Sequence, residues 1–331
     1  MAESLLPSEQ NVRSTKPEIS LEAYDEVIRT LPKEKGWWSD LREYKGFWLT
    51  SPLAINALMF IEKHVKFEPE DIILASYPKC GTTWLKSLLF STINRHRFGS
   101  SGTNNPLLTS NPHQLFISLE LIMKQDHETT PSPRLFSTHM AYSLLPDSMT
   151  SSGCKFVYIC RDPKDAFVSK WHFAQKIRPK EMSPLSFEEA FEMFCNGVSH
   201  YGPFWEHVLE YWKVSLEEPN KVLFLKYEDL KREPVVQVKR LAEFLGKPFA
   251  VEEQSVVEEI VKLCSLKNLS NLEVNKSNNF IHSVAKFSDF FRKGEVGDWI
   301  NHLTPEMAKK LDSITNEKLH GSGLTLAATS P

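Results

Sequence analysis

The segment Asp71-Ile-Ile-Leu-Ala-Ser76, running directly into Tyr77-Pro-Lys-Cys-Gly-Thr-Thr-Trp84, constrains the fold of this chain more than any other. The short apolar run reads as a buried strand, and Thr83–Arg95 repeats apolar residues at helical spacing. A strand, a tight loop and a helix start make an anion site. Unpaired backbone N–H groups and the positive end of the helix dipole converge on one point. Gly81 lets the backbone bend close to the anion, Thr82 and Thr83 add hydroxyl donors, and Lys79 adds a mobile charge. A capped helix after a strand, with an incidental lysine, would look the same over so few residues. The nucleotide triphosphatase loop is a different pattern, because its lysine follows the second glycine. Here Lys79 precedes the loop's only glycine.

Three more runs share the strand character: Arg134–Thr138, Lys155–Cys160 and Lys221–Lys226. Helical patterns separate or follow them at Lys164–Lys176, Ser186–Lys213, Pro234–Leu245, Glu252–Leu263 and Thr304–Leu319. Pro234 and the pair Thr304-Pro305 are helix-start signals. This alternation predicts an α/β fold, with a single domain over residues 21–326 and a central parallel sheet flanked by helices. Ligands of such sheets bind beyond the carboxyl ends of the strands. Residues 1–20 are polar, carry Pro7 and Pro17, and are expected to form a disordered arm. Gly99–Pro112 reads as a surface loop and Asn268–Asp289 as a polar, irregular, lid-like segment. Trp37, Trp38, Tyr44, Phe47 and Trp48 read first as cover for a core edge and second as substrate-facing rings.

The net charge of −3 argues against a nucleic-acid or membrane partner, since both demand a basic surface, so any basic site is local. No apolar run approaches the ~18 residues of a membrane helix. The first ten residues lack the basic-then-apolar pattern of a secretory signal. The five cysteines include no Cys-x-x-Cys pair, which fits reduced thiols and a cytoplasmic location. No metal is expected.

Two further segments carry anion-binding chemistry. In Cys160-Arg-Asp-Pro-Lys-Asp-Ala-Phe-Val-Ser169, Arg161 stands at the end of a strand and Ser169 two helical turns on. A guanidinium and a hydroxyl can share one phosphate, although an arginine near an aspartate is more often a structural ion pair. In Phe291-Arg-Lys-Gly-Glu-Val-Gly-Asp-Trp299, Arg292, Lys293 and Gly294 can fold over a phosphate or form a plain solvated turn.

These three segments, in this order, resemble the cytosolic sulfotransferases over about Leu31–Leu324. Leu31-Pro-Lys-Glu-Lys-Gly-Trp37 and Asn94-Arg-His-Arg-Phe98 are similar to plant members, which act on flavonols, steroids and related hormones. The resemblance implies a P-loop-like core and the donor 3′-phosphoadenosine 5′-phosphosulfate, with adenosine 3′,5′-bisphosphate as product. It places Lys79, Cys80, Gly81, Thr82 and Thr83 at the phosphosulfate end. Arg161, Ser169, Arg292, Lys293 and Gly294 fall at the 3′-phosphate, with Trp84, Tyr227 and Ser265 beside adenine. His139 would be the base, Lys79 would stabilise the leaving group, and Ser169 would restrain Lys79.

Several positions depart from the pattern. Ser137 stands where animal members carry a second lysine, so Lys79 and backbone amides are expected to compensate. Cys264 and Leu266 replace a Thr and a Phe. The stretch Asn301–Lys310 breaks the family's dimer motif with Pro305, which leaves a monomer or weak homodimer. The implied acceptor is a small hydroxylated metabolite, with Phe116, Tyr142, Phe173 and Trp205 as candidates for its pocket. A magnesium-dependent kinase and a nucleotide-binding module without turnover remain as other readings.

Overall fold

Ile72–Ser76 is buried along its whole length, as a strand covered by helices on both faces must be. The computed structural model describes residues 26–326 except 27, 51, 100–103, 278–279 and 282–284. The predicted arm over residues 1–20 lies outside the described residues. Within them, β1 (Lys33–Glu34), β2 (Leu41–Tyr44) and β3 (Phe47–Thr50) form an antiparallel meander. The strands β4 (Ile72–Ser76), β5 (Ile117–Ser118), β6 (Leu135–Thr138), β7 (Lys155–Cys160) and β8 (Val222–Lys226) form a parallel sheet in the order β5-β6-β4-β7-β8. A short pair, β9 (Phe280–Ile281) with β10 (Ala285–Lys286), stands apart.

Alternate residues of the sheet feed two separate cores, as the period of two requires. Ile73, Ala75, Phe136, Phe156 and Tyr158 pack with Phe167, Phe204, Trp205 and Tyr211. Leu74, Val157, Ile159 and Leu225 pack on the other face with Leu85, Leu89, Leu241 and Ile260. The result is three layers, α/β/α. Strand order reverses at β4, whose neighbours are β6 on one side and β7 on the other. This reversal opens a crevice at the carboxyl ends. The sequence missed β5, because two residues carry no readable period.

The helix expected over Ser186–Lys213 is two, Phe187–Cys195 and Phe204–Glu217. Gly197 and Tyr201 between them adopt φ of 78° and 65°. A Cβ at Gly202 would lie 2.6 Å from the Gly197 carbonyl, so the chain turns too tightly there to continue as helix. The break has a use. Tyr201 N–H donates to Trp48 O (2.7 Å) and Trp48 N–H donates to Gly202 O (2.8 Å), which docks the meander against the crevice. Trp37 and Phe47 are buried core, as expected of an edge cover, whereas Trp38 faces a cavity.

The segment Asn268–Asp289 is more ordered than its composition predicts. It holds helical turns at Leu266–Asn271, Glu273–Lys276 and Phe287–Phe290 besides the β9–β10 pair. Among the described residues, no helix is long and apolar enough to cross a membrane.

Candidate active site

The loop after β4 folds as its residues dictate. Lys79 and Gly81 both adopt positive φ, 72° and 113°. For lysine this conformation costs about 1–3 kcal/mol and persists only where the surroundings impose it. Gly81 is required, because a Cβ would lie 2.8 Å from the Tyr227 ring. Ser76 and Thr82 hydroxyls meet at 2.7 Å and close the base of the loop. The helix Thr82–Ile93 starts immediately, with its first amides directed at the crevice. The Cys80 thiol is fully buried, burial pushes its pKa up to about 12, and its N–H is bonded to Tyr77 O at 3.3 Å.

Lys79 Nζ sits 3.9 Å from the centre of the Phe173 ring and 5.6 Å from that of Phe290. Among the described residues it has neither a carboxylate partner nor a hydrogen bond to Ser169. Its ammonium makes a cation–π contact with the Phe173 ring. Burial first, then Lys176, Arg292 and Arg161, push the Lys79 pKa down to about 7. An anion beside it would reverse that shift.

His139 follows β6 and lies across the crevice. Its Nδ1 is 2.7 Å from the Ser76 carbonyl, which can only accept. The proton therefore resides on Nδ1, and Nε2 keeps its lone pair. A residue that sequence reasoning passed over sets this geometry. Glu120 Oε1 accepts from the His139 N–H (2.6 Å) and from Thr138 Oγ1 (2.9 Å), and its Oε2 accepts from Ser118 Oγ (2.9 Å). On the other side, His207 Nε2–H donates to the His139 carbonyl at 2.9 Å. Burial lowers the His207 pKa to about 3, so it stays neutral and accepts from Tyr158 OH at 2.9 Å. Burial also lowers the His139 pKa, against Glu120 and the Ser76 bond. A lone glutamate inside Ser118-Leu-Glu-Leu121 gave no signal of this role.

The second cationic end lies beyond β7 and β8. Arg161 Nη2 donates to Glu295 O at 2.6 Å, and its guanidinium lies 4.5 Å over the Tyr227 ring. Tyr227 meets Trp84 edge-on at 5.5 Å. Asp165, fully buried one turn after Arg161, accepts from Gly297 N–H (2.8 Å) and Trp299 N–H (3.0 Å), pinning the Arg-Lys-Gly turn to the helix Pro163–Ile177. Asp298 receives Arg292 Nη1 at 2.5 Å and Lys293 Nζ at 2.6 Å. Burial alone would raise its carboxyl, but bonds from Lys293, Arg292 and Asn301 hold it well below the usual carboxylate range. Asp298 stood inside the quoted signature, and Asp165 at a helical turn from Arg161. Both could have been suspected from spacing.

One cavity of about 500 Å³ collects these groups. Lys79, Gly81, Thr82, Thr83, Trp84 and His139 line it, as do Arg161, Ser169, Tyr227, Ser265, Arg292 and Gly294. Two of the residues singled out from sequence, Cys80 and Lys293, do not: the first lies in the core, and the second is exposed and tied to Asp298. Ser265 Oγ caps the helix Leu266–Asn271 by accepting from Asn268 N–H. Leu266 lies directly under Gly294, where a Cβ would come within 2.6 Å of it. It also lines the cavity. Of the four acceptor-pocket candidates only Phe173 lines the cavity. Phe116, Tyr142 and Trp205 pack into the two cores, Trp205 Nε1 donating to Thr315. Trp38, Leu53, Leu121, Ile177 and Tyr201 form the apolar wall instead.

Asp165→Asn tests whether the pinned turn serves this site. The amide can accept only one of the two N–H groups and turns a donor toward the other. Affinity for adenosine 3′,5′-bisphosphate, measured by calorimetry, is expected to fall about tenfold, near 1.4 kcal/mol. An unchanged affinity would separate the turn from the site.

A strand–loop–helix anion site, a second cation cluster and a histidine whose Nε2 keeps its lone pair meet in one crevice of a parallel sheet, an arrangement suited to nucleotide-dependent group transfer. The chain belongs to the sulfotransferase family: residues 69–323 match the family described as Sulfotransferase domain. It is 47% identical to Cytosolic sulfotransferase 12 of Arabidopsis thaliana over 308 residues, 91% of this chain and 93% of that one. A crystal structure of an Arabidopsis thaliana protein, provisionally described as a steroid sulphotransferase, superposes with a TM-score of 0.73 at 39% identity, covering 99% of this chain and all of the other. Mouse sulfotransferase SULT7A1, solved in complex with PAP, gives a TM-score of 0.69 at 29% identity over 85% of this chain and 95% of that one.

Proposed function

We propose that the protein transfers the sulfonate group of 3′-phosphoadenosine 5′-phosphosulfate to a hydroxyl of a small metabolite, by in-line attack with His139 as general base. The observation that carries this reading is one cavity lined by Lys79, by Arg161 and Arg292, and by His139, whose Nε2 keeps its lone pair. A donor with a phosphosulfate at one end and a 3′-phosphate at the other needs both. The mouse relative solved with PAP supports the same nucleotide.

The residues would act as follows. The first amides of the helix Thr82–Ile93, with Thr82, Thr83 and Lys79, hold the phosphosulfate. Arg161, Ser169, Arg292 and the Gly294 turn hold the 3′-phosphate, and Trp84 with Tyr227 bounds the base. His139 Nε2 takes the acceptor's proton as the acceptor oxygen bonds to sulfur. The bond from sulfur to the bridging phosphate oxygen breaks, and its electron pair leaves with the phosphate. Lys79 leaves the Phe173 face to meet that charge. The apolar wall suits a flat acceptor such as a flavonoid, a steroid or brassinosteroid, or a related hormone, a reading the likeness to the steroid sulphotransferase supports. The same reading places the enzyme in the cytoplasm as a monomer or weak homodimer.

Incubation with labelled sulfonate donor and a panel of phenols, steroids and plant metabolites tests this. A labelled, sulfated product is expected. Transfer from ATP with magnesium but none from the sulfonate donor would assign a kinase. Tight bisphosphate binding with no transfer to any acceptor would assign a silent nucleotide-binding module.

A further inference from the structure

Lys86 is a buried cation in this crevice that the mechanism above leaves unused. It lies one helical turn into Thr82–Ile93, is only 4% exposed, and lines the same cavity as Lys79, Ser137 and His139. Among the described residues no carboxylate comes within ion-pair distance of it. Glu120, the acidic group nearest in its electrostatics, has its oxygens committed to Ser118, Thr138 and the His139 amide. A buried ammonium without a counter-ion is costly and calls for an anion. Burial holds its pKa down to about 7, as expected of a cation lacking that anion.

Its hydrogen bonds point the same way. Lys86 Nζ is 3.3 Å from His113 Nδ1, and His113 Nε2 is 2.9 Å from Thr83 Oγ1. With Lys86 donating to Nδ1, the His113 proton sits on Nε2 and is given to the Thr83 oxygen. The Thr83 hydroxyl then has its own hydrogen to offer to an anion held at the loop. The sheet supplies only a neutral group on this side, Ser137, two residues before His139 and on the same face of β6.

We propose that Lys86 is a further catalytic residue, donating an N–H to a non-bridging oxygen of the transferring sulfonate from the side opposite Lys79. This rests on the sulfonate-transfer reading and replaces the expectation that Lys79 and backbone amides alone compensate for Ser137. No proton changes owner in the step. Lys86 stays protonated while the acceptor proton goes to His139 and the electron pair to the leaving phosphate.

The test is a charge relocation. Lys86→Met is expected to lower kcat about 30-fold or more, with bisphosphate affinity within about twofold. Adding Ser137→Lys to that variant is expected to recover at least tenfold, because it returns an ammonium to the same cavity from the strand. A role confined to packing or to Thr83 would not be rescued by a lysine on β6. Any other pattern overturns the proposal, whether kcat hardly changes or it falls without recovery. Wild-type transfer in the same assay is the separate control. If the unaltered enzyme transfers nothing, it is the sulfonate-transfer reading that fails.

Discussion

Replacing His139 with alanine is expected to lower kcat by about 10²–10⁴-fold, the range of a lost general base. Bisphosphate affinity should hold within about twofold, because the imidazole spans the acceptor side and the phosphates are held elsewhere. The Nδ1 bond to the Ser76 carbonyl fixes the tautomer, and Glu120 and His207 fix the backbone on both sides. Alanine removes the base without disturbing either anchor, since both reach the main chain. Turnover close to wild type would remove His139 from the mechanism. The pH profile provides a second reading. Only the neutral imidazole can take a proton, so rate is lost as pH falls through the His139 pKa. Burial lowers that pKa, which moves the acid limb below the ordinary histidine range. In the alanine variant this limb should vanish.

Lys79→Met is expected to lower kcat by about 10²–10³-fold, as for the loss of one preorganised donor to developing charge. Methionine keeps the stem that lies against Phe173 and removes only the ammonium. The fall should appear in kcat more than in bisphosphate affinity, because Arg161, Arg292 and the helix amides still hold the product. A near-native kcat with intact product binding would exclude Lys79 from the chemistry. The wild-type profile should also carry an alkaline limb, since a lysine held near pKa 7 loses its charge as pH rises. Bound anionic donor moves that limb upward, so it should lie higher in kcat than in kcat/KM.

Much of this is legible in the sequence. The apolar run of β4, the glycine at the tight turn and the hydroxyls at the helix start are local facts, and the loop they build is local too. Helix starts at Pro234 and Thr304-Pro305 were readable for the same reason. The single helix expected over Ser186–Lys213 is broken at Gly197, Gly202 and Pro203, whose backbone demands outrank apolar periodicity. The misplaced acceptor residues share another cause. Phe116, Tyr142 and Trp205 are large and apolar, and nothing in composition separates a ring that faces a cavity from one that fills a core.

By itself, then, the sequence determined the alternating strands and helices, the phosphate loop, and the order of three cationic segments along the chain. Tertiary structure alone decided which of their side chains meet. His139 reaches Ser76 across 63 residues, and Asp165 pins Gly297 across 132. Lys86, Glu120 and Asp165 are brought to the crevice this way, while the Cys80 thiol lies in the core and Lys293 is tied to Asp298. The physical reason is that local pattern encodes periodicity and turns, whereas sheet order is set by long-range pairing that satisfies the backbone groups on both edges of β4. That pairing places β6 and β7 on either side of it, and with them the histidine and the arginine that follow those strands.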